Sequence, residues 1–176
     1  IEIRWYAISY ILGLILGQLY IKNIIKVQNY KNYITNIHIE GFLIWAMLGI
    51  IIGGRLGYII FYNFSFYINS PIKILYVWQG GMSFHGGLIG ITLSMLLFSL
   101  KNNLKFLNLT DLICAAAPIG IFLGRISNFL NGELWGKESN LPWAIVFKCA
   151  GSTSRHPSQL YEAFLEGLVL LVIMNI

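Results

Sequence analysis

Residues 109–136, LTDLICAAAPIGIFLGRISNFLNGELWG, form a long apolar run that ends in polar side chains. The part 109–131 has the length, roughly 20 residues, at which a helix crosses the hydrocarbon of a bilayer. Arg125 lies near its end, although an arginine at the centre of a membrane costs about 2.5–3.5 kcal/mol on insertion scales. A chain that keeps such a residue is expected to use it. The stretch therefore predicts a transmembrane helix with functional side chains at one end.

The composition of the whole chain extends this interpretation. The chain is 57% hydrophobic and 11% charged, with a mean hydropathy of +0.70, whereas a soluble domain carries about 25% charged residues. Because lipid offers no partners to backbone groups, open-chain spans are helices. We predict an all-α, polytopic transmembrane helix bundle that occupies residues 1–176 as a single domain. Its five predicted spans are residues 5–21, 41–62, 83–100, 109–131 and 158–176.

Lysines in the loops indicate how the bundle is oriented. Residues 22–40 contain three lysines and residues 101–108 contain two, and both loops lie on one side if the spans alternate. Cytoplasmic loops carry an excess of lysine and arginine, so this side is predicted to be cytoplasmic. Residues 63–82 and 132–157 then face outward, and the second of these is expected to form a small extracytoplasmic cap.

Small residues recur every four positions along each predicted span. Such stripes let helix backbones approach closely in a membrane, where packing rather than hydrophobicity drives association. We interpret them as structural, and they predict a compact bundle. Two examples are Gly49, Gly53 and Gly57 in the second span and Gly86, Gly90 and Ser94 in the third.

Polar side chains that are costly in lipid collect at the outward ends of the spans in this orientation. Because the spans alternate, residues far apart in sequence are predicted to lie at one membrane face. These residues are Tyr6, Arg55, His85, Arg125, Asn128, Glu133, Arg155, His156, Glu162 and Glu166.

Arg125 and Asn128 are three positions apart and therefore share a helix face. The planar guanidinium of arginine suits a bidentate contact with a phosphate diester. The alternative is an intramembrane ion pair between Arg125 and either Glu133 or Glu162, which would hold helices in register.

Arg55 and His85 each allow two interpretations. Arg55 could contact substrate, or it could be a packed arginine whose head group reaches the interface. His85 lies in GGMSFHGG, residues 80–87, where glycines allow close approach of a substrate. Histidine accepts a proton readily near neutral pH, so His85 could be a base. The alternative is a histidine bound to a backbone carbonyl.

Missing motifs exclude several other classes of protein. The chain has no basic stripe with interleaved aromatic residues, so no nucleic-acid partner is expected. It contains no HExxH, GxSxG or P-loop motif, which argues against a zinc protease, a serine hydrolase and a nucleotide-binding protein. Cys114 and Cys149 lie far apart, so neither a disulfide framework nor a zinc site is predicted. Chemistry on a phospholipid headgroup at the outer interface remains.

Five motifs in this order resemble those of the prolipoprotein diacylglyceryl transferases. They are WY at 5–6, GGRLGY at 53–58 with FYN at 61–63, WQGGMSFHGG at 78–87, GRISNFLNGELWG at 124–136 and RHPSQLYE at 155–162. The similarity covers nearly the whole chain, although Ser127 stands where the family usually has glycine. The family has further C-terminal helices with another functionally important arginine. We therefore expect this chain to be a fragment that lacks them.

The resemblance implies an enzyme of the bacterial inner membrane with its active site toward the extracytoplasmic face. The enzyme would move a diacylglyceryl group from phosphatidylglycerol to the lipobox cysteine of a prolipoprotein, forming a thioether and releasing glycerol phosphate. The alternative is a non-catalytic protein that binds or transports anionic lipid.

The resemblance also implies roles for individual residues. Catalytic roles fall to His85, Arg125 and Glu133: His85, or an acid acting through water, would take the thiol proton, and Arg125 would neutralise the leaving phosphate. No metal or organic cofactor is expected. The residues expected to bind or orient substrate are Arg125, Asn128, Tyr6, Arg55 and Gly136.

Overall fold

The computed structural model describes residues 5–27 and 34–175. Its helices are α1 (Trp5–Val27), α2 (Asn36–Tyr62), α3 (Phe64–Asn69), α4 (Phe84–Lys101), α5 (Phe106–Asn131), α6 (Ser158–Glu162) and α7 (Leu170–Ile173). A π-helical segment, Ala163–Val169, joins α6 to α7 without a break, and residues 158–173 are called the late helix below. Two short strands, β1 (Ile145–Val146) and β2 (Ser154–Arg155), pair antiparallel.

Four of the described helices, α1, α2, α4 and α5, are long and apolar enough to cross a membrane. Many of their large apolar side chains are exposed, including Leu14, Ile52 and Leu93. Lipid tails are as apolar as these side chains, so a bilayer would cover them at no cost. The fold class predicted from the sequence, an all-α, polytopic membrane bundle, is confirmed.

The first two helices extend further than their predicted spans. α1 continues to Val27 and α2 begins at Asn36, so most of the described part of the predicted loop 22–40 is helical. Lysine is a good helix former, and its long stem lets the ammonium group reach water from a helix end. At the start of α2, the backbone N–H of Thr35 donates to Nδ1 of His38 at 3.1 Å.

The fifth predicted span, 158–176, corresponds to the late helix. With a rise of about 1.5 Å per residue, residues 158–173 extend about 24 Å, less than the roughly 30 Å of the hydrocarbon core. Its middle section, Ala163–Val169, is π-helical. π-helical turns are rare in proteins overall, and those that occur are often found at functional sites.

The backbone contacts group the chain into two compact units. The first consists of residues 1–24 and 111–176, and the second of residues 25–110.

In the second unit, α2 packs directly against α4 through glycines. A methyl group on Gly53 would lie 2.4 Å from the carbonyl oxygen of Gly86, and one on Gly90 would lie 2.0 Å from that of Gly49. Only hydrogen fits at these positions. The backbones therefore touch, as the four-residue spacing of small residues predicts.

In the first unit, both α1 and the late helix lie against α5. A methyl group on Gly13 would come 3.6 Å from Cα of Gly120 on α5, which is ordinary contact. A methyl group on Gly167 of the late helix would come 2.7 Å from Cβ of Phe122. These approaches set the spacing of the helices that carry the polar end of α5.

Candidate active site

A Schellman motif ends α5 and brings Glu133 next to the helix end. The N–H of Glu133 donates to the carbonyl of Asn128 at 3.1 Å, and the N–H of Gly132 donates to that of Phe129 at 3.0 Å. Gly132 has φ +67°, which glycine adopts without steric cost. Leu134 also has a positive φ, +57°, which is uncommon for a side-chain-bearing residue. This turn places Glu133 immediately after the membrane helix.

Arg125 lies near this end of α5 and faces two carboxylates of the late helix. Its Nε lies 2.8 Å from Oε2 of Glu162, and its Nη2 lies 3.8 Å from Oε2 of Glu166. The arginine side chain is 31% exposed. The ion pair named as the alternative for Arg125 is thus present, with Glu162 as the partner. Because 3.8 Å is too long for a hydrogen bond, the Nη groups of Arg125 donate none within the described residues.

The start of α1 reaches the same part of α5 through polar contacts. Nδ2 of Asn128 donates to the hydroxyl of Tyr6. The hydroxyl of Ser127 donates to the carbonyl of Trp5 at 3.2 Å and also contacts the hydroxyl of Ser9. Both Ser127 and Asn128 are buried. The hydroxyl of Ser127 therefore joins α1 to α5.

The turn after α5 is held by the first residues of the late helix. Nε2 of Gln159 donates to the carbonyl of Glu133 at 2.6 Å, and the hydroxyl of Ser158 donates to the carbonyl of Leu134 at 2.9 Å. Gln159 is fully buried. The carboxylate of Glu133 accepts a hydrogen bond from Nδ2 of Asn131 at 2.9 Å. The backbone of the turn is thus fixed from behind, and the carboxylate of Glu133 also interacts with the hydroxyl of Tyr6 on α1.

Gly136 lies where two backbone segments approach closely. Its N–H donates to the carbonyl of His156 at 2.9 Å. A methyl group at Gly136 would lie 2.9 Å from Cβ of His156 and 3.0 Å from its carbonyl oxygen, so one of the two segments would have to move. The structure gives Gly136 a packing role at this crossing.

The segment between the turn and the late helix is a small cap with its own polar contacts. Nη2 of Arg155 lies 2.9 Å from Oε1 of Glu138. Nε1 of Trp143 donates to the hydroxyl of Tyr161 at 2.7 Å, and this hydroxyl lies 3.2 Å from Nδ1 of His156. These contacts join the cap to the beginning of the late helix.

Arg55 lies in α2, in the second unit, and is buried with 4% exposure. Its guanidinium donates hydrogen bonds from every nitrogen to backbone carbonyls. The acceptors are Ile74 for Nε, Gly80 and Gly81 for Nη1, and Lys73 and Tyr76 for Nη2. The packed arginine named as the alternative matches this geometry. A direct contact between Arg55 and a lipid phosphate would require breaking some of these bonds.

His85 is the second residue of α4, also in the second unit. It is exposed, and its ring lies edge-on to that of Phe84 with centroids 5.7 Å apart. Ser83 caps the helix by accepting a hydrogen bond from the N–H of Gly86 at 3.2 Å. Within the described residues His85 makes no hydrogen bond, so its ring nitrogens are available to a substrate.

The structure thus brings Tyr6 to Asn128 and places Arg125, Glu133 and Gly136 in the same unit. His85 and Arg55 belong to the other unit, and their convergence with Arg125 stays a prediction.

Two residues that hold the site were given no role by the sequence reasoning. Gln159 and Ser158 fix the turn around Glu133, although both lie inside the motif RHPSQLYE, 155–162. The only sequence feature that could have indicated this role is that two uncharged polar residues stand at the predicted start of a membrane span. Such residues favour helix starts in any case, so their tertiary partners could not be read from the sequence.

Comparison with known protein families identifies the family of this chain. A family model described as prolipoprotein diacylglyceryl transferase matches residues 1–176. The chain belongs to the prolipoprotein diacylglyceryl transferase family. Membership confirms the resemblance drawn from the five motifs, and together with the four long apolar helices it indicates a multi-pass membrane protein.

Individual members of the family are similar along almost the whole chain. A phosphatidylglycerol–prolipoprotein diacylglyceryl transferase from Rhizobium meliloti is 47% identical over 99% of the chain and 64% of the relative. Those from Rhodopseudomonas palustris and Gluconacetobacter diazotrophicus are 49% and 48% identical, each over 98% of the chain, with 62% and 61% of the relative covered. The chain therefore spans somewhat less than two thirds of the length of these diacylglyceryl transferases.

Proposed function

We propose that the intact protein transfers the diacylglyceryl group of phosphatidylglycerol to the lipobox cysteine of a prolipoprotein. The names of its similar relatives support this substrate pair. The proposal rests on the surroundings of Arg125, which lies near the end of a membrane helix. Its side chain is one-third exposed, and its Nη groups make no hydrogen bond to the part of the chain that the structure describes. Such a group can bind the phosphate of a lipid headgroup.

At the reacting glyceryl carbon, one bond forms and one breaks. The sulfur of the cysteine attacks the glyceryl carbon that bears the phosphate, so a carbon–sulfur bond forms and the carbon–oxygen bond to phosphate breaks. Glycerol phosphate leaves with the bonding electron pair, and the thiol proton passes to a base. Because the thiolate is the nucleophilic form and a free cysteine has a pKa of about 8.5, a base nearby accelerates the step.

His85 and Arg125 are proposed for the two chemical tasks. His85 is exposed, and its ring nitrogens make no hydrogen bond within the described residues, so it can accept the thiol proton. Arg125 neutralises the phosphate as negative charge develops on it, the kind of stabilisation that supplies much of the rate in enzymes.

Four further residues are proposed to shape the site around Arg125. Glu133 orients the headgroup from the turn after α5, and Asn128 with Tyr6 provides polar atoms at the junction of α1 and α5. Gly136 allows the segment that contains His156 to approach that turn. We propose that this site faces the extracytoplasmic side of the inner membrane, in line with the lysines of the opposite loops.

The test is transfer of a radiolabelled diacylglyceryl group to a lipobox peptide by the intact protein. We expect the wild type to label the peptide and release glycerol phosphate in equal amounts. His85→Gln keeps a hydrogen-bonding side chain but cannot serve as a base, so we expect its rate to fall by about 100-fold or more. His38→Gln, a histidine bound at the start of α2, should keep the wild-type rate.

Two outcomes would contradict the proposal. Binding of phosphatidylglycerol by the intact wild type without release of glycerol phosphate would favour a non-catalytic lipid-binding protein. A wild-type rate in His85→Gln would leave the transferase in place but remove the histidine from its chemistry.

A further inference from the structure

Five backbone carbonyls surround the guanidinium of Arg55, and together they are called its cradle below. They occupy every N–H donor of the guanidinium. Arginine has five N–H donors, and five backbone carbonyls accept from Arg55, all of them in residues 73–81. Its guanidinium carbon also lies 5.1 Å from the ring centroid of Tyr67. No carboxylate faces it within the described residues. The charge is therefore balanced by backbone dipoles and an aromatic face rather than by an acid.

The segment held by Arg55 has little regular structure of its own. Between α3 and α4 it forms two short 3-10 turns, Pro71–Leu75 and Val77–Gln79. Such turns leave carbonyls without partners in the segment, and unpaired buried acceptors are costly. Among the described residues, Arg55 is the only donor to the carbonyls of Ile74, Gly80 and Gly81. The carbonyls of Lys73 and Tyr76 also accept local backbone hydrogen bonds, each at 3.2 Å. The path of residues 71–81 thus depends on Arg55 as well as on local hydrogen bonds.

A short and well-defined path connects this cradle to His85. Arg55 holds the carbonyls of Gly80 and Gly81, and the N–H of Ser83 donates to the carbonyl of Gly54, next to Arg55, at 2.9 Å. Gly81 has φ +81°, and a methyl group there would lie 2.6 Å from the ring of Tyr58.

The same path leads into the first turn of α4. Ser83 caps that helix, and His85 follows two residues later. The first turn of α4, which carries His85, is therefore held against α2 by the glycine packing and, from the preceding segment, by contacts that Arg55 anchors.

We propose that Arg55 is a positioning residue that sets the location of His85 through residues 73–83 and does not bind the lipid phosphate. The expected effect of Arg55 on catalysis rests on the proposed transferase function, whereas the hydrogen bonds of Arg55 do not depend on it. The positioning role replaces the direct substrate contact expected for Arg55 from the resemblance.

The first test measures release of the segment by trypsin in the detergent-solubilised intact protein. Trypsin cuts after Lys73, whose carbonyl accepts from Nη2 of Arg55 at 2.7 Å. The next carbonyl, that of Ile74, accepts from Nε at 3.0 Å. Both must leave the cradle before the bond can enter a protease, and such cleavage follows the population of the open form.

Two variants of Arg55 should open the cradle to different degrees. Arg55→Met removes every donor, and we expect cleavage after Lys73 to become about tenfold faster or more. Arg55→Lys keeps a cation with at most three donors, so its cleavage should be intermediate. Cleavage after the exposed Lys137 in the cap should not change. Lys101→Met, which removes another cation that lies over an aromatic ring, 5.4 Å from the centroid of Trp45, is the matched control.

The second test compares kcat with KM for phosphatidylglycerol in the same variants. A displaced base slows the chemical step without weakening lipid binding, and a misplacement near 1 Å can cost about 100-fold. We expect kcat of Arg55→Met to fall at least about tenfold with KM nearly unchanged, and Arg55→Lys to recover part of the loss.

Each contrary result has a distinct meaning. A rise in KM alone, with wild-type cleavage after Lys73, would make Arg55 a phosphate ligand and overturn the proposal. Faster cleavage with an unchanged kcat would reduce Arg55 to a structural residue and overturn it as well. Unchanged cleavage and kinetics would also reject it. If the wild type transferred no lipid, the proposed function would fail, whereas the proteolysis would still report whether the cradle exists.

Discussion

Arg55 and Arg125 are both arginines near the end of a membrane helix, yet their surroundings differ completely. Arg55 is buried, and every nitrogen of its guanidinium donates to the backbone. Arg125 is one-third exposed, and its one close partner among the described residues is the carboxylate of Glu162. The N–H donors of Arg55 are thus all occupied by backbone carbonyls. Most N–H donors of Arg125 have no partner among the described residues.

The difference shows how one residue type can be fixed in the fold in one place and left open to a ligand in another. An ion pair that is partly open to solvent contributes only about 0–1 kcal/mol, so a bidentate phosphate can compete with Glu162 for Arg125 at small cost. Moving Arg55 would leave several carbonyls without a donor, at about 1–3 kcal/mol for each one that stays buried. Arg125 can thus exchange its partner for a substrate, and Arg55 cannot do so without a large cost.

The largest expected effect is on the activity of Arg125→Ala. Removing a group that stabilises developing negative charge lowers kcat by about 100- to 1,000-fold, and we expect this loss in lipid transfer at saturating phosphatidylglycerol. Lys137→Ala removes an exposed positive charge from the cap and should leave the rate within about twofold, as surface charges contribute little. A normal rate in Arg125→Ala would show that Arg125 does not contact the reacting phosphate.

The free energy of unfolding should depend more on Arg55 than on Arg125. We expect Arg55→Met to lower the free energy of unfolding by about 2–3 kcal/mol, because buried acceptors lose their donors. Arg125→Met should lower it by less than about 1 kcal/mol, as expected for a partly exposed ion pair. Thermal unfolding of both variants in the same detergent measures the difference. Equal shifts would mean that the cradle of Arg55 is no stronger than the exposed pair.

A smaller loss of stability is expected from Gly136→Ala, where the turn after α5 crosses the segment that contains His156. The added methyl group would meet His156 at 2.9 Å, and overpacking of this kind costs about 1–3 kcal/mol. Gly120→Ala is the matched control on α5, because a methyl group there meets nothing within 4 Å. If both substitutions left thermal unfolding unchanged, the close approach at Gly136 would not constrain the fold.

The smallest effect is expected from Glu166→Gln. Its carboxylate is 52% exposed and lies 3.8 Å from Arg125, so its loss should change stability by less than about 0.5 kcal/mol. Glu162→Gln, which removes the 2.8 Å contact, should have the larger effect of the two. Thermal unfolding of the two single variants orders them. The reverse order would identify Glu166 as the main partner of Arg125.

Much of the fold was predictable from local patterns. Apolar runs located the four long helices, and the spacing of Gly49, Gly53 and Gly57 indicated the face of α2 that meets α4. Helix ends were less predictable, because lysines near Val27 continue a helix that hydropathy alone would end. The site residues were recognised as costly in lipid, yet Gln159 was missed because its partner, the backbone of Glu133, leaves no mark in composition.

The amino-acid sequence alone determined that the chain is a membrane bundle, which residues of it are costly in lipid and to which family it belongs. These properties follow from hydropathy, spacing and motifs, which are local. Only the tertiary structure decided the partners of the two arginines. Arg55 binds carbonyls 18–26 residues away, and Arg125 binds an acid on another helix. Such partners are selected by distances of a few ångströms in space, which appear only after the helices have packed.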